Sequence, residues 1–261
     1  MEQTVKVSIV TPSYNQGRFI EETILSVLNQ TYKNIEYIIV DGGSTDNTME
    51  IVDKYKDRIN IIISEKDNGQ SDAINKGFKL ASGKLIGWIN SDDILYPDCV
   101  EKIVELYSNH PDGSIYYPAS VDHIDSQGNF IRNKIRKITD KNYLLNIHPA
   151  VIQQGSFYEQ EALKKVNYVD ERIYYCMDLD LWLRLLDIGP IYYYEGQSLT
   201  GFRKWEETKT QQSEEKFLDN ILETLNQYGA NRFSKAKLYL FYIRCRIRGG
   251  KLKRFLLNKH K

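Results

Sequence analysis

The sequence predicts an α/β fold in which a mostly parallel sheet is flanked by helices. Two observations support this prediction. Short apolar runs alternate with stretches of helical periodicity over the first hundred residues, and acidic residues stand at or soon after the ends of several runs. Repeated strand–helix units favour a parallel sheet with helices on both faces. The chain has 261 residues, 41% hydrophobic and 27% charged, which suits one large globular domain with an appendage.

The first half of the chain supplies the strand–helix units in order. Apolar runs predict four strands, at residues 5–11, 35–40, 60–64 and 85–89. Apolar residues three or four apart follow each run and predict helices at residues 17–30, 44–57, 71–83 and from 97 onward. Gly83 suits the C-cap of the third helix, and Pro97 suits the start of the fourth.

Beyond residue 110 the pattern is weaker. The sequence predicts a strand at 114–120, a hairpin that turns at 127–128, a helix at 178–189 and a strand at 190–196. Residues 204–216 are polar throughout, which predicts a loop. We find no internal repeat and no low-complexity tract in the sequence.

Several protein classes are disfavoured by composition and motifs. Cys99, Cys176 and Cys245 form no CxxC pair, which argues against a disulfide framework or a zinc site and favours a reducing cytoplasmic setting. No signal peptide is expected, and no apolar run approaches the ~20 residues needed to cross a bilayer. The absence of GxxxxGK[ST] and GxGxxG motifs argues against ordinary ATPases and dinucleotide enzymes.

Charge is distributed unevenly along a chain whose net charge is zero. Residues 231–261 contain eleven of the 35 Lys and Arg residues and none of the 35 acids. Two apolar stripes at helical spacing accompany them, formed by Leu238, Phe241, Tyr242 and Cys245 and by Leu252, Phe255 and Leu256. Such a pattern is typical of a helix in a membrane interface. The alternatives are that the stripe docks on the body of the protein or that the tail binds nucleic acid, for which no recognised fold is present.

Acidic residues are expected at one edge of the sheet. Asp41, Asp72 and the pair Asp92–Asp93 follow strands or open a helix, and ligands of open α/β sheets bind at the carboxyl ends of the strands. Each acid has an ordinary alternative role, as a turn residue, a first-turn acid or an exposed charge. Together they favour a site for Mn²⁺ or Mg²⁺, which prefer oxygen ligands and would bridge a diphosphate.

Three separated stretches resemble one family. "VSIVTPSYNQGRFIEETILSVLNQTYKNIEYIIVDGGSTDNT", "DNGQSDAINKGFKLASGKLIGWINSDD" and "MDLDLWLRL" are similar to the family 2 glycosyltransferases of the GT-A (Rossmann-like) fold, in order over residues 5–205. The resemblance implies transfer of a sugar from a nucleotide-diphosphate donor to an acceptor hydroxyl with inversion. It implies a hexosyltransferase-type enzyme of cell-surface polysaccharide or glycoconjugate synthesis, acting on a glycan or lipid-linked acceptor.

The resemblance also implies the roles of individual residues. The residues expected around the nucleotide sugar are Thr11, Pro12, Tyr14, Asp41, Asp72, Asn90, Ser91 and Arg203. Asp92 is the expected metal ligand, and Asp178 is the expected catalytic base that takes the proton of the acceptor hydroxyl. Asn90 and Met177 depart from the family pattern, which has Asp and Glu at these places.

Weaker candidates lie nearby. Trp205 stands where the family often has a histidine, and its ring could stack on sugar or pack the loop. His148, Gln153 and Gln154 are candidate acceptor contacts. Asp178 has an alternative role as a helix N-cap, and Asp180 is expected to be a first-turn acid.

These expectations divide the chain into a GT-A domain at 1–210 and a basic amphipathic helical tail at 211–261. The domain has a nucleotide-sugar-binding half at 1–100 and an acceptor-binding half at 101–210. We expect a cytoplasmic protein, peripheral at the inner face of the cell membrane through residues 231–261, with no nucleic-acid partner. Two alternatives stay open: another metal-dependent nucleotide-sugar enzyme, and a non-catalytic sugar-nucleotide-binding scaffold suggested by Asn90 and Met177.

Overall fold

Two β-sheets form the centre of the protein, as seen in a computed structural model. The structure describes residues 4–206 and 214–258, with backbone alone for 250–258. The large sheet has the spatial order β10 (Ile191–Tyr194), β6 (Ile115–Pro118), β9 (Phe157–Glu159), β4 (Leu85–Trp88), β1 (Val7–Ser13), β2 (Ile35–Asp41) and β3 (Ile61–Ser64). The small sheet has the order β5 (Ile94–Leu95), β11 (Thr200–Arg203), β7 (Ser120–Ile124) and β8 (Phe130–Ile135).

Helices cover the sheets and extend the chain at its end. They are α1 (Ile20–Leu28), α2 (Thr48–Lys54), α3 (Gln70–Leu80), α4 (Cys99–Asn109), α5 (Gln160–Lys165), α6 (Met177–Leu185), α7 (Glu214–Gln227) and α8 (Lys235–Asn258). A 3-10 turn at Lys56–Arg58 and a π-helical turn at Tyr143–Ile147 lie between them. Within the described residues, no helix is both long and apolar enough to cross a bilayer.

The predicted parallel sheet is confirmed, with one exception in strand direction. β1 pairs in parallel with both β2 and β4, and β2 pairs in parallel with β3. A helix follows each of these four strands or the short segment after it, as the alternating pattern predicts. β9 runs antiparallel between β4 and β6 and joins the two parallel parts into one sheet.

The core lies on both faces of the large sheet because nearly every residue of the central strands β1, β2 and β4 is buried. Consecutive residues Ile9 and Val10 of β1 enter different buried clusters, as the alternation of side chains along a strand requires. α3 lies especially close to β1, since a Cβ atom added to Gly77 would stand 2.3 Å from Val10 Cγ1. Parts of α7 and α8 pack in the same cluster as Val10, through Leu218, Ile221, Leu225, Ala236 and Leu240.

Some predicted boundaries differ from the structure. Gly83 is not a C-cap: α3 ends at Leu80 and is followed by Ala81. Gly83 instead allows a close chain approach, since an added Cβ would lie 2.5 Å from the backbone nitrogen of Ser8. The loop predicted at 204–216 lies partly outside the described residues, and its last three residues begin α7. The predicted hairpin turn is present, with Gly128 at φ 84°.

Candidate active site

The loop that follows β4 brings four polar residues, 90–93, to the carboxyl edge of the large sheet. Asn90 and Asp92 are half-buried, whereas Ser91 and Asp93 are buried. β4 pairs with β1, and β1 pairs with β2, so this loop lies at the same sheet edge as the ends of those strands. The ends of β1, β2 and β4 therefore share one sheet edge, as expected of parallel strands.

Asp93 joins several segments around this loop. Its Oδ1 accepts a hydrogen bond from the backbone nitrogen of Arg203 at 2.8 Å. Its Oδ2 accepts from Gln154 Nε2 at 3.0 Å and Asn90 Nδ2 at 3.1 Å. Its carbonyl accepts from Thr23 Oγ1 at 2.7 Å. Because the side chain is fully buried and its oxygens are occupied, Asp93 positions the loop.

Asp92 is the more accessible of the two acids. Its Oδ2 accepts a hydrogen bond from Trp205 Nε1 at 3.0 Å, and its carbonyl accepts from Arg203 Nε at 2.8 Å. Burial raises the pKa of Asp92, and burial together with the charge of Asp92 raises the pKa of Asp93. Two adjacent acids in a poorly solvated loop favour a positive charge beside them.

Arg203 lies behind this loop. It is fully buried, ion-pairs with Glu22, and places its guanidinium carbon 4.9 Å from the ring centroid of Phe19. Its Nη1 donates to the carbonyl of Asp125 at 3.2 Å. The structure thus brings Arg203 to the Asp92 loop as a structural support. A direct contact between its guanidinium and a diphosphate stays a prediction.

Trp205 closes one side of the loop. Its ring packs edge-to-face on Phe19 with centroids 4.9 Å apart, and the guanidinium of Arg18 lies 5.8 Å from its ring centroid. The packing role weighed for Trp205 is therefore present, together with the hydrogen bond to Asp92. Sequence reasoning did not identify Phe19, which is buried beneath Trp205 and Arg203.

The residues expected around the nucleotide occupy the ends of β1 and β2. Thr11 and Pro12 are buried, and Thr11 Oγ1 lies 3.1 Å from the Tyr37 hydroxyl oxygen. Tyr14 is 58% exposed and stands directly after β1. Asp41 is fully buried, and its Oδ2 accepts from the backbone nitrogen of Ser44 at 2.9 Å. Asp41 therefore shapes the loop after β2, and its contact with a base stays a prediction.

Asp72 lies in the first turn of α3, and Asn90 lies in the loop after β4 beside that turn. Asp72 Oδ2 accepts from the backbone nitrogen of Asn68 at 2.9 Å, and Lys76 lies 3.7 Å away. Asn90 Oδ1 accepts from Gln70 Nε2 at 2.9 Å, which ties the loop after β4 to the first turn of α3. Contacts of Asp72, Asn90 and Ser91 with a sugar nucleotide stay predictions.

The two acids of α6 have different surroundings. Asp178 is half-buried in the first turn, and its Oδ1 accepts from the nitrogen of Leu179 at 2.9 Å. Cys176 precedes the helix, so the N-cap position is not that of Asp178. Asp180 is buried and accepts hydrogen bonds from Arg184 Nε at 2.8 Å and from the Tyr228 hydroxyl at 2.7 Å. Asp180 is therefore a first-turn acid with a structural role, as expected.

Of the weaker acceptor candidates, Gln153 and Gln154 are buried and His148 is half-buried. Gln153 Nε2 donates to the carbonyl of Trp88 at 2.7 Å, and Gln154 holds Asp93 as described above. His148 Nε2 lies 3.2 Å from Arg136 Nη2, and burial lowers the pKa of His148 to about 4 with the help of neighbouring positive charges. Gln153 and Gln154 therefore adjoin the loop after β4, whereas His148 contacts Arg136 and the ring of Tyr239.

The donor set fits a divalent cation held jointly with a substrate. Within residues 4–206 and 214–258, no cluster of three or more His, Cys, Asp or Glu could hold a metal unaided. Mg²⁺ and Mn²⁺ need only one or two protein carboxylates when water and phosphate oxygens fill the other positions. Asp92 offers such a carboxylate, with Oδ2 hydrogen-bonded to Trp205.

The model of Glycosyl transferase family 2 matches residues 8–167. The chain belongs to this family. The predicted family and its GT-A fold are confirmed. An uncharacterized glycosyltransferase of Rickettsia typhi is 30% identical over 193 residues, covering 72% of the chain and 60% of the relative. Chondroitin synthase of Escherichia coli is 31% identical over 187 residues, covering 70% of the chain and 27% of that protein. The chain thus spans less than two thirds of these relatives.

Solved structures agree on the fold. S. aureus TarS 1-349 in complex with UDP-GlcNAc has a TM-score of 0.67 at 19% identity, covering 88% of this chain and 68% of that one. The mannosyltransferase PcManGT from Pyrobaculum calidifontis, solved with GDP-Man and Mn2+, has a TM-score of 0.63 at 13% identity, covering 87% and 64%. Both similarities support the same α/β architecture.

Proposed function

We propose that this chain transfers a sugar from a nucleotide-diphosphate donor to an acceptor hydroxyl, with inversion, in the synthesis of a cell-surface polysaccharide or glycoconjugate. The observation that carries the proposal is the loop after β4. There a half-buried Asp92 stands beside a fully buried Asp93 at the carboxyl edge of the sheet, in a family 2 chain. The nucleotide-sugar complexes of the structural neighbours support a donor of this class.

Asp92 would hold Mn²⁺ or Mg²⁺ together with the diphosphate. When bound, such a cation supplies Lewis-acid stabilisation of the departing diphosphate. The chain's own residues keep Asp92 in place: Trp205 bonds its carboxylate, Arg203 bonds its carbonyl, and Asp93 anchors the loop from below. Mn2+ in the PcManGT structure supports this choice of metal.

Asp178 would act as the catalytic base. The acceptor oxygen attacks the anomeric carbon as its proton passes to the Asp178 carboxylate, while the bond from that carbon to the diphosphate oxygen breaks on the opposite face. Its position at the start of α6 supports this role, because the helix backbone fixes the carboxylate. The buried Asp180, occupied by Arg184 and Tyr228, is a poor base by comparison.

A donor titration tests the role of Asp92, and an assay of donor hydrolysis and sugar transfer run beside it tests the role of Asp178. The full chain is titrated with UDP-, GDP- and dTDP-sugars, each with Mn²⁺ and with EDTA, and the Asp92→Asn and Asp178→Asn variants are compared with wild type. We expect wild type to bind one donor only when the metal ion is present. Asp92→Asn should reduce the gain in donor affinity that the metal ion gives. Asp178→Asn should bind the donor but not transfer sugar. Metal-dependent donor binding with no transfer by wild type would favour the scaffold alternative.

We also propose that α8 lies on a membrane surface. Leu238, Phe241, Tyr242 and Cys245 of its predicted stripe are exposed. The helix docks on the body through a different set, with Ala236 and Leu240 buried and Ile243 packed against the core. The docking alternative for the first stripe is thus not what the structure supports. Leu252, Phe255 and Leu256 of the second stripe lie outside the described side chains.

Exposed apolar side chains among basic residues suit an anionic lipid surface. A vesicle sedimentation assay with phosphatidylglycerol tests this on the full chain. We expect Leu238→Ser with Phe241→Ser to reduce binding by about tenfold or more, given the transfer free energy of two large apolar side chains. Leu80→Ser with Ile188→Ser, at exposed positions away from α8 and β8, serves as control. Equal binding by wild type and the double variant would contradict a role for α8.

A further inference from the structure

Four basic side chains share one face of the small sheet. Arg132 and Lys134 alternate along β8, Arg136 continues the same phase, and Lys204 directly follows β11. Their charges act on one another and on His123 of β7, whose Nδ1 accepts from Arg132 Nε at 3.4 Å. We call Arg132, Lys134, Arg136 and Lys204 the basic face.

The basic face has no acidic counterpart in the described chain. None of its four members forms an ion pair with Asp or Glu within residues 4–206 and 214–258. Asp122 of β7 belongs to the opposite face of the sheet, where it accepts from Asn133 Nδ2 at 2.8 Å and Ser198 Oγ at 2.7 Å. The carboxylate of Asp122 therefore bonds to Asn133 and Ser198 and not to the basic face.

Holding these cations together is unfavourable without a ligand. Lys134, Arg136 and Lys204 are half-buried. Burial and the neighbouring positive charges lower the pKa of both Lys134 and Lys204. Burial and the charges of Lys204, Arg132 and Lys134 also lower the pKa of His123 to about 4, despite Asp122. Like charges that destabilise one another are typical of binding sites rather than of structural surfaces.

We infer that the basic face binds a phosphate group of the acceptor. The inference rests on the proposed glycosyltransferase function and adds the substrate class: an acceptor that carries a phosphate monoester, diester or diphosphate. Guanidinium groups suit phosphate oxygens because their paired N–H donors match the oxygen spacing, and lysines add point charges. Two of each are present on this face.

The position of Lys204 indicates that the phosphate bound by the basic face belongs to the acceptor and not to the donor. It lies between Arg203, which binds Asp93 and Asp92, and Trp205, which binds Asp92. Side chains alternate along a strand, so Lys204 extends away from the Asp92 loop toward the basic face. The basic face thus borders the Asp92 loop but is built on β8 and the end of β11, whereas all the expected nucleotide contacts except Arg203 lie on or next to β1, on β2 and α3, and in the loop after β4.

The primary experiment titrates inorganic pyrophosphate into the metal-free full chain by calorimetry in EDTA. We expect Lys134→Gln with Lys204→Gln to weaken binding by about tenfold or more, since two of four charges are removed. Lys56→Gln with Lys79→Gln makes the same change in net charge at exposed positions and should bind as wild type does. The test variant should also unfold at the same or a higher urea concentration than wild type, because repulsion is relieved. A merely structural role would lower that concentration.

Further arms separate this inference from the proposed function. Asp92→Asn should keep pyrophosphate binding in EDTA, and the Lys134→Gln, Lys204→Gln variant should keep metal-dependent donor binding. If no donor binds wild type but the pyrophosphate result holds, the function fails and the anion site stands. Geranyl diphosphate and a glycerol phosphodiester then distinguish a lipid-linked acceptor from a phosphate-containing polymer.

Two outcomes would overturn the phosphate site. One is that Lys134→Gln with Lys204→Gln binds pyrophosphate as tightly as Lys56→Gln with Lys79→Gln does, or that wild type does not bind pyrophosphate. The other is loss of vesicle binding by Lys134→Gln with Lys204→Gln at unchanged pyrophosphate affinity, which would assign the basic face to the membrane surface.

Discussion

Glu36 holds the amino ends of the central strands together, at the edge of the sheet away from the candidate site. Its side chain is buried, and its Oε1 accepts from Lys6 Nζ and Ser82 Oγ, both at 2.7 Å. Its Oε2 accepts from Ser8 Oγ at 2.5 Å and from the Ser82 nitrogen at 2.8 Å. One carboxylate thus connects β2, β1 and the segment between α3 and β4. Replacing it with Gln removes the charge and one acceptor oxygen.

The expected magnitude follows from the pKa. Burial alone would raise the pKa of Glu36, but hydrogen bonds from Lys6, Ser8 and Ser82 outweigh burial and lower it from 4.5 to about 2. A lowered folded-state pKa means that the ionised form stabilises the fold above the unfolded pKa. That contribution is lost as pH falls from 4.5 toward about 2. The shift corresponds to about 2–3 kcal/mol, after allowance for the solvent exposure of Lys6.

Urea unfolding at a series of pH values measures this contribution. We expect Glu36→Gln to be about 2–3 kcal/mol less stable than wild type at neutral pH. The difference should shrink as the pH falls from 4.5 toward about 2. Glu50→Gln, at an exposed acid of α2, is the matched control and should show no such trend. A difference that is independent of pH, or absent at neutral pH, would refute the reasoning.

Three further changes have expected outcomes. Gly77→Ala should destabilise the protein by about 1–3 kcal/mol in urea, because the added methyl would lie 2.3 Å from a β1 side-chain atom. Tyr228→Phe should cost about 1–2 kcal/mol by removing its 2.7 Å hydrogen bond to the buried Asp180, and donor titrations should show unchanged affinity. Trp205→Phe should weaken metal-dependent donor binding several-fold, because it removes the hydrogen bond that holds Asp92 Oδ2 while keeping an aromatic ring; stronger metal binding would show instead that the indole N–H competes with the metal.

The first half of the fold could be predicted because its signals are local. Each strand of β1 to β4 is a mainly apolar run followed by a helical pattern, and parallel strands are buried on both faces. β9 gave no such signal, since it has three residues and its place between β4 and β6 depends on pairing with distant strands. Short antiparallel insertions are fixed by tertiary contacts that periodicity does not report.

The candidate site was predictable in location but not in the use of each side chain. The acids at the strand ends mark the edge because topology alone places them there. Arg203 is different: it contacts the carbonyl of Asp92, which is 111 residues away in sequence, and is buried on Phe19. No local pattern distinguishes an arginine that supports a loop from one that binds phosphate. The tail shows the same limit, because the residues that dock α8 on the body, Ala236, Leu240 and Ile243, do not belong to the predicted stripe.

The end of β11 shows how one strand can serve two ligands of like charge. Arg203 has its charge balanced by Glu22 and turns to the Asp92 loop, whereas Lys204, the next residue, turns to the unbalanced basic face. The diphosphate of the donor would bind the acidic loop together with a divalent metal ion. Without that metal ion, the carboxylates of the loop repel a phosphate. A phosphate-bearing acceptor needs the opposite surface. The alternation of two consecutive residues would thus keep the phosphates of the donor and the acceptor apart. Lys204→Glu should therefore weaken pyrophosphate binding in EDTA while leaving metal-dependent donor binding intact.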